Sequence, residues 1–148
     1  ALFGVSMGGA TVMFTAGEKL PKQVKAVIED CGYNSIADEL AYQLNDLFGL
    51  PKFPLFYTTN WMARVRAGYN FNDGDTAKSL ANSKLPIFMI HGDQDKFVPT
   101  KMVYTNYKAA HAPKQLWVVP GAAHGEALAT DPTTYRNKVA QFLNEYLQ

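Results

Sequence analysis

The chain has 148 residues, one cysteine and a net charge of +1, with 47% apolar and 18% charged residues. This length is typical of one domain with a sizeable core, and the composition argues against disorder. The near-zero net charge predicts no nucleic-acid partner, and a single cysteine excludes an internal disulfide framework. No apolar run reaches about 18 residues, so no membrane span is expected in this chain.

Four short apolar runs predict strands. The chain begins at Ala1-Leu2-Phe3-Gly4 without an initiator Met, as if inside the first strand. The other three runs are rich in β-branched or aromatic residues, a pattern typical of strands buried on both faces. They cover residues 24–29, 87–90 and 116–119.

Helical patterns separate these runs. The first follows a glycine-rich turn and ends at Gly17, and the second is capped by Thr100 and extends to about residue 110. Asp131 and Pro132 open the last helix as its N-cap and first-turn residues. Its apolar residues share one face: Tyr135, Val139, Phe142, Leu143 and Tyr146.

Strands that alternate with helices predict an α/β fold with a mostly parallel sheet and flanking helices. The region from Cys31 to Ser83 interrupts this alternation and is rich in aromatic residues. It is interpreted as a helical insertion within one domain spanning residues 1–148. Its aromatic side chains either line an apolar pocket or pack a small core of their own.

The segment Gly4-Val5-Ser6-Met7-Gly8 matches the pattern G-x-S-x-G. Between a buried strand and a helix this pattern makes a sharp turn, in which glycines remove Cβ atoms that would clash. The turn would raise the Ser6 hydroxyl above the sheet, as a nucleophile. The helix N-terminus and the Met7 N–H could then stabilise an oxyanion.

A serine nucleophile needs a base, and the chain has three histidines. His124 follows the fourth predicted strand among small residues that leave its ring accessible, so it is the candidate base. His91 ends the third strand and is expected to shape the turn, whereas His111 is expected at the surface.

The base needs a carboxylate to orient its ring. Asp95 lies in the loop after the third strand, at the sheet edge where α/β proteins bind ligands. Asp93 is expected to bond nearby backbone N–H groups in the same turn. Asp30 also follows a strand and remains an alternative acid.

Together these motifs resemble the C-terminal part of an α/β-hydrolase-fold serine hydrolase, of a bacterial esterase-like or predicted cell-surface subgroup. The G-x-S-x-G turn, the stretch His91 to Pro99 and the loop Gly121 to Gly125 occur in the family's order. The resemblance implies that Ser6, His124 and Asp95 are the catalytic triad, with no cofactor and no metal. It also implies strands 5 to 8 of an eight-stranded sheet, with residues 31–83 as a cap.

The same resemblance predicts that strands 1 to 4 and the second oxyanion donor are absent. The activity that the resemblance implies is hydrolysis of carboxylic esters or related acyl compounds. The alternative is a catalytically impaired fragment that folds or oligomerises without turnover. The exposed first strand is expected to pair with another chain, as in a homo-oligomer. A cytoplasmic location is favoured, and a cell-surface location stays open if a preceding segment carries a signal or anchor.

Overall fold

A computed structural model describes residues 1–147. Strands and helices alternate along this part of the chain, except between the second and third strands, where several helices follow one another. The elements in order are β1 (Leu2–Val5), α1 (Met7–Ala16), β2 (Val27–Asp30), α2 (Ile36–Phe48), α3 (Leu55–Ala67), a 3-10 turn (Phe71–Asp73), α4 (Thr76–Asn82), β3 (Ile87–Gly92), α5 (Lys101–Ala109), β4 (Lys114–Val119), α6 (Ala127–Thr130) and α7 (Pro132–Tyr146).

The four strands form one parallel sheet in the order β1-β2-β3-β4. The predicted α/β class with a mostly parallel sheet is confirmed. All four carboxyl ends meet at one edge, because Val5 pairs with Asp30 and Asp30 with Ile90. Within residues 1–147 the outer side of β1 has no neighbouring strand, and Phe3 is 50% exposed there.

The strand boundaries differ from those expected. β2 begins at Val27, where the Val27 N–H bonds the Pro86 carbonyl at 2.9 Å, and not at residue 24. β3 and β4 are each longer than their apolar runs, since pairing extends to Gly92 and starts at Lys114. Ladder hydrogen bonds, which a hydropathy pattern does not contain, set these limits.

Helices cover both faces of the sheet. On one face, α1, α4 and α5 pack against the strands around Met13, Leu80 and Met89. On the other face, α7 lays Tyr135 and Phe142 against β2 and β3, which confirms the predicted apolar face of this helix. Each such large buried side chain contributes roughly 1.5–3 kcal/mol.

Helices α2 and α3 surround a small core of their own, centred on Phe56 and Phe71. Many of their other aromatic side chains face solvent, as Trp61 does at 65% exposure. Helix α4 lies in the same predicted insertion, yet its Leu80 packs in the core between sheet and helices. The treatment of residues 31–83 as one cap within a single domain stays a prediction.

The helix ends follow the sequence signals in part. Asp131 accepts a hydrogen bond from the Thr134 N–H at 3.0 Å, with Pro132 in the first turn, as predicted. The Thr100 hydroxyl does not cap α5 and instead donates to the Gly92 carbonyl at 2.7 Å.

No helix within residues 1–147 has the length and apolar character needed to cross a membrane.

Candidate active site

Ser6 occupies the sharp turn between β1 and α1. Its backbone has φ 57° and ψ −119°, a conformation that costs a non-glycine residue about 1–3 kcal/mol. Hydrogen bonds hold it there: the Ser6 N–H donates to the Asp30 carbonyl, and the Ala10 N–H donates to the Ser6 carbonyl. A Cβ on Gly4 would overlap the Gly8 carbonyl, whereas a Cβ on Gly8 would meet nothing within 4 Å. The expected clash therefore applies to Gly4 and is wrong for Gly8.

His124 lies opposite Ser6, in the loop that follows β4. The Ser6 Oγ and His124 Nε2 are 2.8 Å apart, although 118 residues separate them in the chain. The Phe97 ring packs against the imidazole with a centroid distance of 4.9 Å. The His124 side chain stays 23% exposed, so it is open to a ligand from the solvent side.

Asp95 contacts the other nitrogen of this ring. Its Oδ2 lies 2.8 Å from His124 Nδ1, and its Oδ1 accepts hydrogen bonds from the Phe97 and Val98 N–H groups at 2.9 Å each. Burial raises the pKa of the Asp95 carboxyl, but the bonds from His91, His124 and Val98 outweigh it and lower the pKa below its usual value. Asp95 is therefore an ionised carboxylate that is fully engaged by donors.

The other predicted carboxylates have different partners. Asp30 Oδ2 accepts a hydrogen bond from the Tyr135 hydroxyl at 2.9 Å. Asp93 Oδ1 accepts from the Gly121 N–H at 2.7 Å, so the expectation of a bond to the backbone of its own turn is wrong. The structure thus places Asp95, and not Asp30, at the Nδ1 of His124.

The other two histidines also have defined positions. The His91 side chain is fully buried at the end of β3, and its Nε2 lies 2.9 Å from the Val98 carbonyl. His111 is exposed after α5, as expected.

The loop after β3 and the loop after β4 are joined through their backbones. The Asp93 N–H donates to the Val119 carbonyl at 3.1 Å, and the Gln94 N–H donates to the Ala122 carbonyl at 3.0 Å. A Cβ on Gly92 would overlap the Ala122 carbonyl, so only glycine permits this approach. The loop that carries Asp95 is thereby fixed to the loop that carries His124.

Met7 is the first residue of α1. Its N–H is one of the first four amides of the helix, which have no acceptor inside the helix. It stands next to Ser6, at the positive end of the helix dipole. The predicted role of this N–H as an oxyanion donor stays a prediction.

The Cys31 thiol lies close to the same residues. Its sulfur and one ligand atom each of Asp95 and His124 lie within 4.8 Å of one another. Burial, with a smaller contribution from the nearby Asp30 charge, raises the pKa of this thiol to about 12. Because Asp95 and His124 already bond each other, we assign no metal site here.

Two residues of α2 that the sequence did not single out bond the loop of Asp95. The Tyr42 hydroxyl donates to the Lys96 carbonyl at 2.8 Å, and the Gln43 amide donates to the Phe97 carbonyl at 2.6 Å. Both residues lie more than 50 positions before their acceptors. No short motif marks such contacts, so only the fold reveals them.

Known proteins resemble this chain in sequence and in fold. Residues 1–148 match the prolyl oligopeptidase family. The chain belongs to this family. It is 26% identical to the uncharacterized protein YqkD of Bacillus subtilis, over 97% of this chain and 47% of that protein. It is 27% identical to the uncharacterized protein YfhR of Escherichia coli K12, over 96% of this chain and 44% of that protein. The chain therefore spans less than half the length of these relatives.

Solved structures share the fold. An esterase of Pyrococcus furiosus superposes with a TM-score of 0.72 at 20% identity, covering 99% of this chain and 53% of the esterase. An acylaminoacyl peptidase of Pyrococcus horikoshii gives a TM-score of 0.72 at 18% identity, covering 99% of this chain and 24% of the peptidase. The resemblance to α/β hydrolases is confirmed, and the sheet is a partial α/β-hydrolase fold.

Proposed function

We propose that the protein is a serine hydrolase that cleaves carboxylic esters or related acyl compounds through an acyl-enzyme. One observation carries this proposal: the continuous chain of contacts from Ser6 Oγ to His124 Nε2, and from His124 Nδ1 to Asp95 Oδ2, each 2.8 Å long. Membership of the prolyl oligopeptidase family supports a hydrolase.

In the first half of the proposed reaction, Ser6 Oγ attacks the acyl carbon while His124 Nε2 takes the hydroxyl proton. The carbonyl π pair moves to oxygen, and the Met7 N–H stabilises the resulting oxyanion. When the tetrahedral intermediate collapses, the bond to the leaving oxygen breaks and His124 returns the proton to that oxygen. The products are an alcohol and an acyl ester of Ser6.

Water then reverses these roles. His124 takes a proton from water, the hydroxide attacks the acyl carbon, and the bond to Ser6 Oγ breaks as Oγ regains the proton. Asp95 holds the imidazole so that Nε2 faces the serine, and its negative charge stabilises the imidazolium in both halves. Its ionised state, maintained by four nearby donors, suits this role.

The substrate class rests on the structural relatives and on general chemistry. The similar structures include an esterase and an acylaminoacyl peptidase, both of which act on acyl groups. An ester has a better leaving group than an amide, so an activated ester is the most sensitive first substrate. We therefore propose esters and related acyl compounds without choosing a chain length.

A fluorophosphonate probe and a panel of p-nitrophenyl esters test the proposal. The wild-type protein should be labelled and should hydrolyse at least one ester, and Ser6→Ala should abolish both. Thr11→Ala is the matched control, because it removes an exposed hydroxyl from the helix that follows Ser6. A folded protein that is labelled no faster than Ser6→Ala would contradict the proposal and favour a chain that folds without turnover.

A further inference from the structure

His91 is a second imidazole close to Asp95, at the same carboxylate oxygen that His124 contacts. Its side chain is fully buried, and its Nε2 is 2.9 Å from the Val98 carbonyl and 3.3 Å from Asp95 Oδ2. A carbonyl oxygen can only accept, so Nε2 carries a hydrogen. Val98 is the nearer acceptor of this hydrogen, and Asp95 Oδ2 lies close enough to the same nitrogen to be stabilised by it.

The carboxylate of Asp95 therefore serves two imidazoles. Its Oδ2 lies between His124 Nδ1 and His91 Nε2, and backbone amides occupy its Oδ1. A carboxylate offers about four lone-pair sites, so these four donors use its full capacity. Of these donors, His91 is the one supplied by a strand, and a strand holds its side chain more rigidly than a loop does.

A second buried polar group lies on the same face of the sheet as His91. Within residues 1–147, His91 Nδ1 and Glu29 Oε1 are both buried and have no hydrogen-bond partner. Glu29 pairs with Met89 across β2 and β3, and side chains alternate along a strand, so Glu29 and His91 lie on the same face of the sheet. The other oxygen of Glu29 accepts a hydrogen bond from the Gly32 N–H at 2.9 Å.

Burial changes the ionisation of the Glu29 carboxyl. Complete burial raises the pKa of the Glu29 carboxyl from 4.5 to about 8, against the opposing effects of His91 and Gly32, so the acid is mostly protonated at neutral pH. Since Oε2 already accepts from Gly32, the acid hydrogen belongs on Oε1. Glu29 therefore places a mostly neutral acid, and not a second full carboxylate charge, on the face of the sheet that carries His91.

We propose that His91 is a positioning residue for the triad, which anchors Asp95 through Nε2. This inference rests on the proposed function. His91 touches no substrate: it fixes the carboxylate that orients His124. The site thus extends through four side chains: Ser6, His124, Asp95 and His91.

Two substitutions of His91 test this role. His91→Leu removes the donor at similar size, whereas His91→Gln keeps an N–H near the position of Nε2. We expect His91→Leu to lower kcat by about 10²-fold with little change in KM, because small displacements of catalytic groups cost rates of this order. His91→Gln should recover most of the loss.

The pH profile gives a second measurement. The titratable groups coupled to His91 are Glu29 and Asp30 from β2 and Asp95 from the loop after β3. Removal of a donor from Asp95 disfavours its ionised form, so the coupled Asp95 and His124 pair should release its protons at higher pH. The acid limb of kcat/KM should therefore move to higher pH in His91→Leu and return in His91→Gln.

His111→Leu is the matched control, since it removes an exposed histidine far from this network. Thermal melting of each variant separates loss of fold from loss of positioning. If the wild-type protein hydrolyses no ester, the proposed function fails, and the downfield NMR resonance of the His124 Nδ1 proton tests His91 instead. That resonance should shift in His91→Leu and be restored in His91→Gln. Wild-type kcat in a folded His91→Leu variant, no rescue by glutamine or an unmoved resonance would overturn the inference.

Discussion

The Tyr135 hydroxyl donates a hydrogen bond of 2.9 Å to Asp30 Oδ2, in the core between β2 and α7. Burial raises the pKa of the Asp30 carboxyl, and the bond from Tyr135 offsets only part of that effect. The contact ties Asp30 to the last helix of the chain. Asp30 and Asp95 therefore have different environments, and variants of each can show which one acts as the acid.

Asp95→Asn should lower kcat by about 10⁴-fold, as the analogous change does in the serine-protease triad, because the amide orients the wrong tautomer of His124. Asp30→Asn should leave kcat within a few-fold of wild type and chiefly alter stability. Steady-state kinetics on an activated ester measures both. A severe loss in Asp30→Asn with a mild one in Asp95→Asn would reverse our assignment of the acid.

Gly4→Ala should destabilise the fold by about 1–3 kcal/mol, the usual cost of inserting a methyl group into filled space. The added Cβ would overlap the Gly8 carbonyl, and backbone cannot rotate away as a flexible side chain can. Urea unfolding midpoints measure the effect. Gly8→Ala is the matched control and should be neutral or stabilising by up to about 1 kcal/mol, since it adds a helix-favouring residue in open space. Equal midpoints for the two variants would refute this reading of the turn.

Glu29→Gln should change how stability depends on pH. The folded-state pKa of about 8 lies above the ordinary value of 4.5, so the folded protein retains a proton that the unfolded chain loses. The free energy of unfolding should therefore fall by up to roughly 1.4 kcal/mol per pH unit between about 4.5 and 8, and level off above. Denaturant titrations at several pH values would show this slope in wild type and a flatter one in the variant. If stability falls with pH at the same slope in wild type and in Glu29→Gln, Glu29 is ionised in the folded protein.

The outer side of β1 leads to a prediction about association. Within residues 1–147 no strand pairs with this side of β1, and the half-exposed Phe3 makes the edge apolar, which favours pairing with another chain. Light scattering should report a dimer or larger species that Phe3→Lys weakens. Lys19→Glu, in the exposed turn after α1, is the control. A monomer at high concentration would rule out this association.

Much of this architecture follows from local signals in the sequence. Alternating apolar runs and helix caps predict the parallel sheet, and strand order places Ser6, Asp95 and His124 at one edge. Within the site, however, Asp93 binds Gly121, 28 residues away, and Gln43 binds Phe97, 54 residues away. Spacing along the chain does not encode such contacts, because they depend on how finished elements pack.

His91 illustrates the same limit in a different way. The sequence predicts that His91 stands at the end of a strand and shapes the turn there, but its relation to Asp95 depends on the path of the loop between them. The loop folds back so that the Val98 carbonyl and Asp95 Oδ2 both lie near His91 Nε2. The motif alone does not specify this path. The proximity of the His91 imidazole to Asp95 is therefore known only from the distance between them in the structure.

Backbone hydrogen bonds join the loop after β3 to the loop after β4, so these two loops should move together and separately from the turn of Ser6. Because Gly92 lets the acid loop lie against Ala122, the carboxylate and the imidazole belong to one body, while the serine belongs to the β1 turn. When thermal motion opens the site, the gap should appear between Ser6 and His124, and the contact between His124 and Asp95 should stay intact. The imidazole is therefore held in its orientation independently of the turn that carries Ser6.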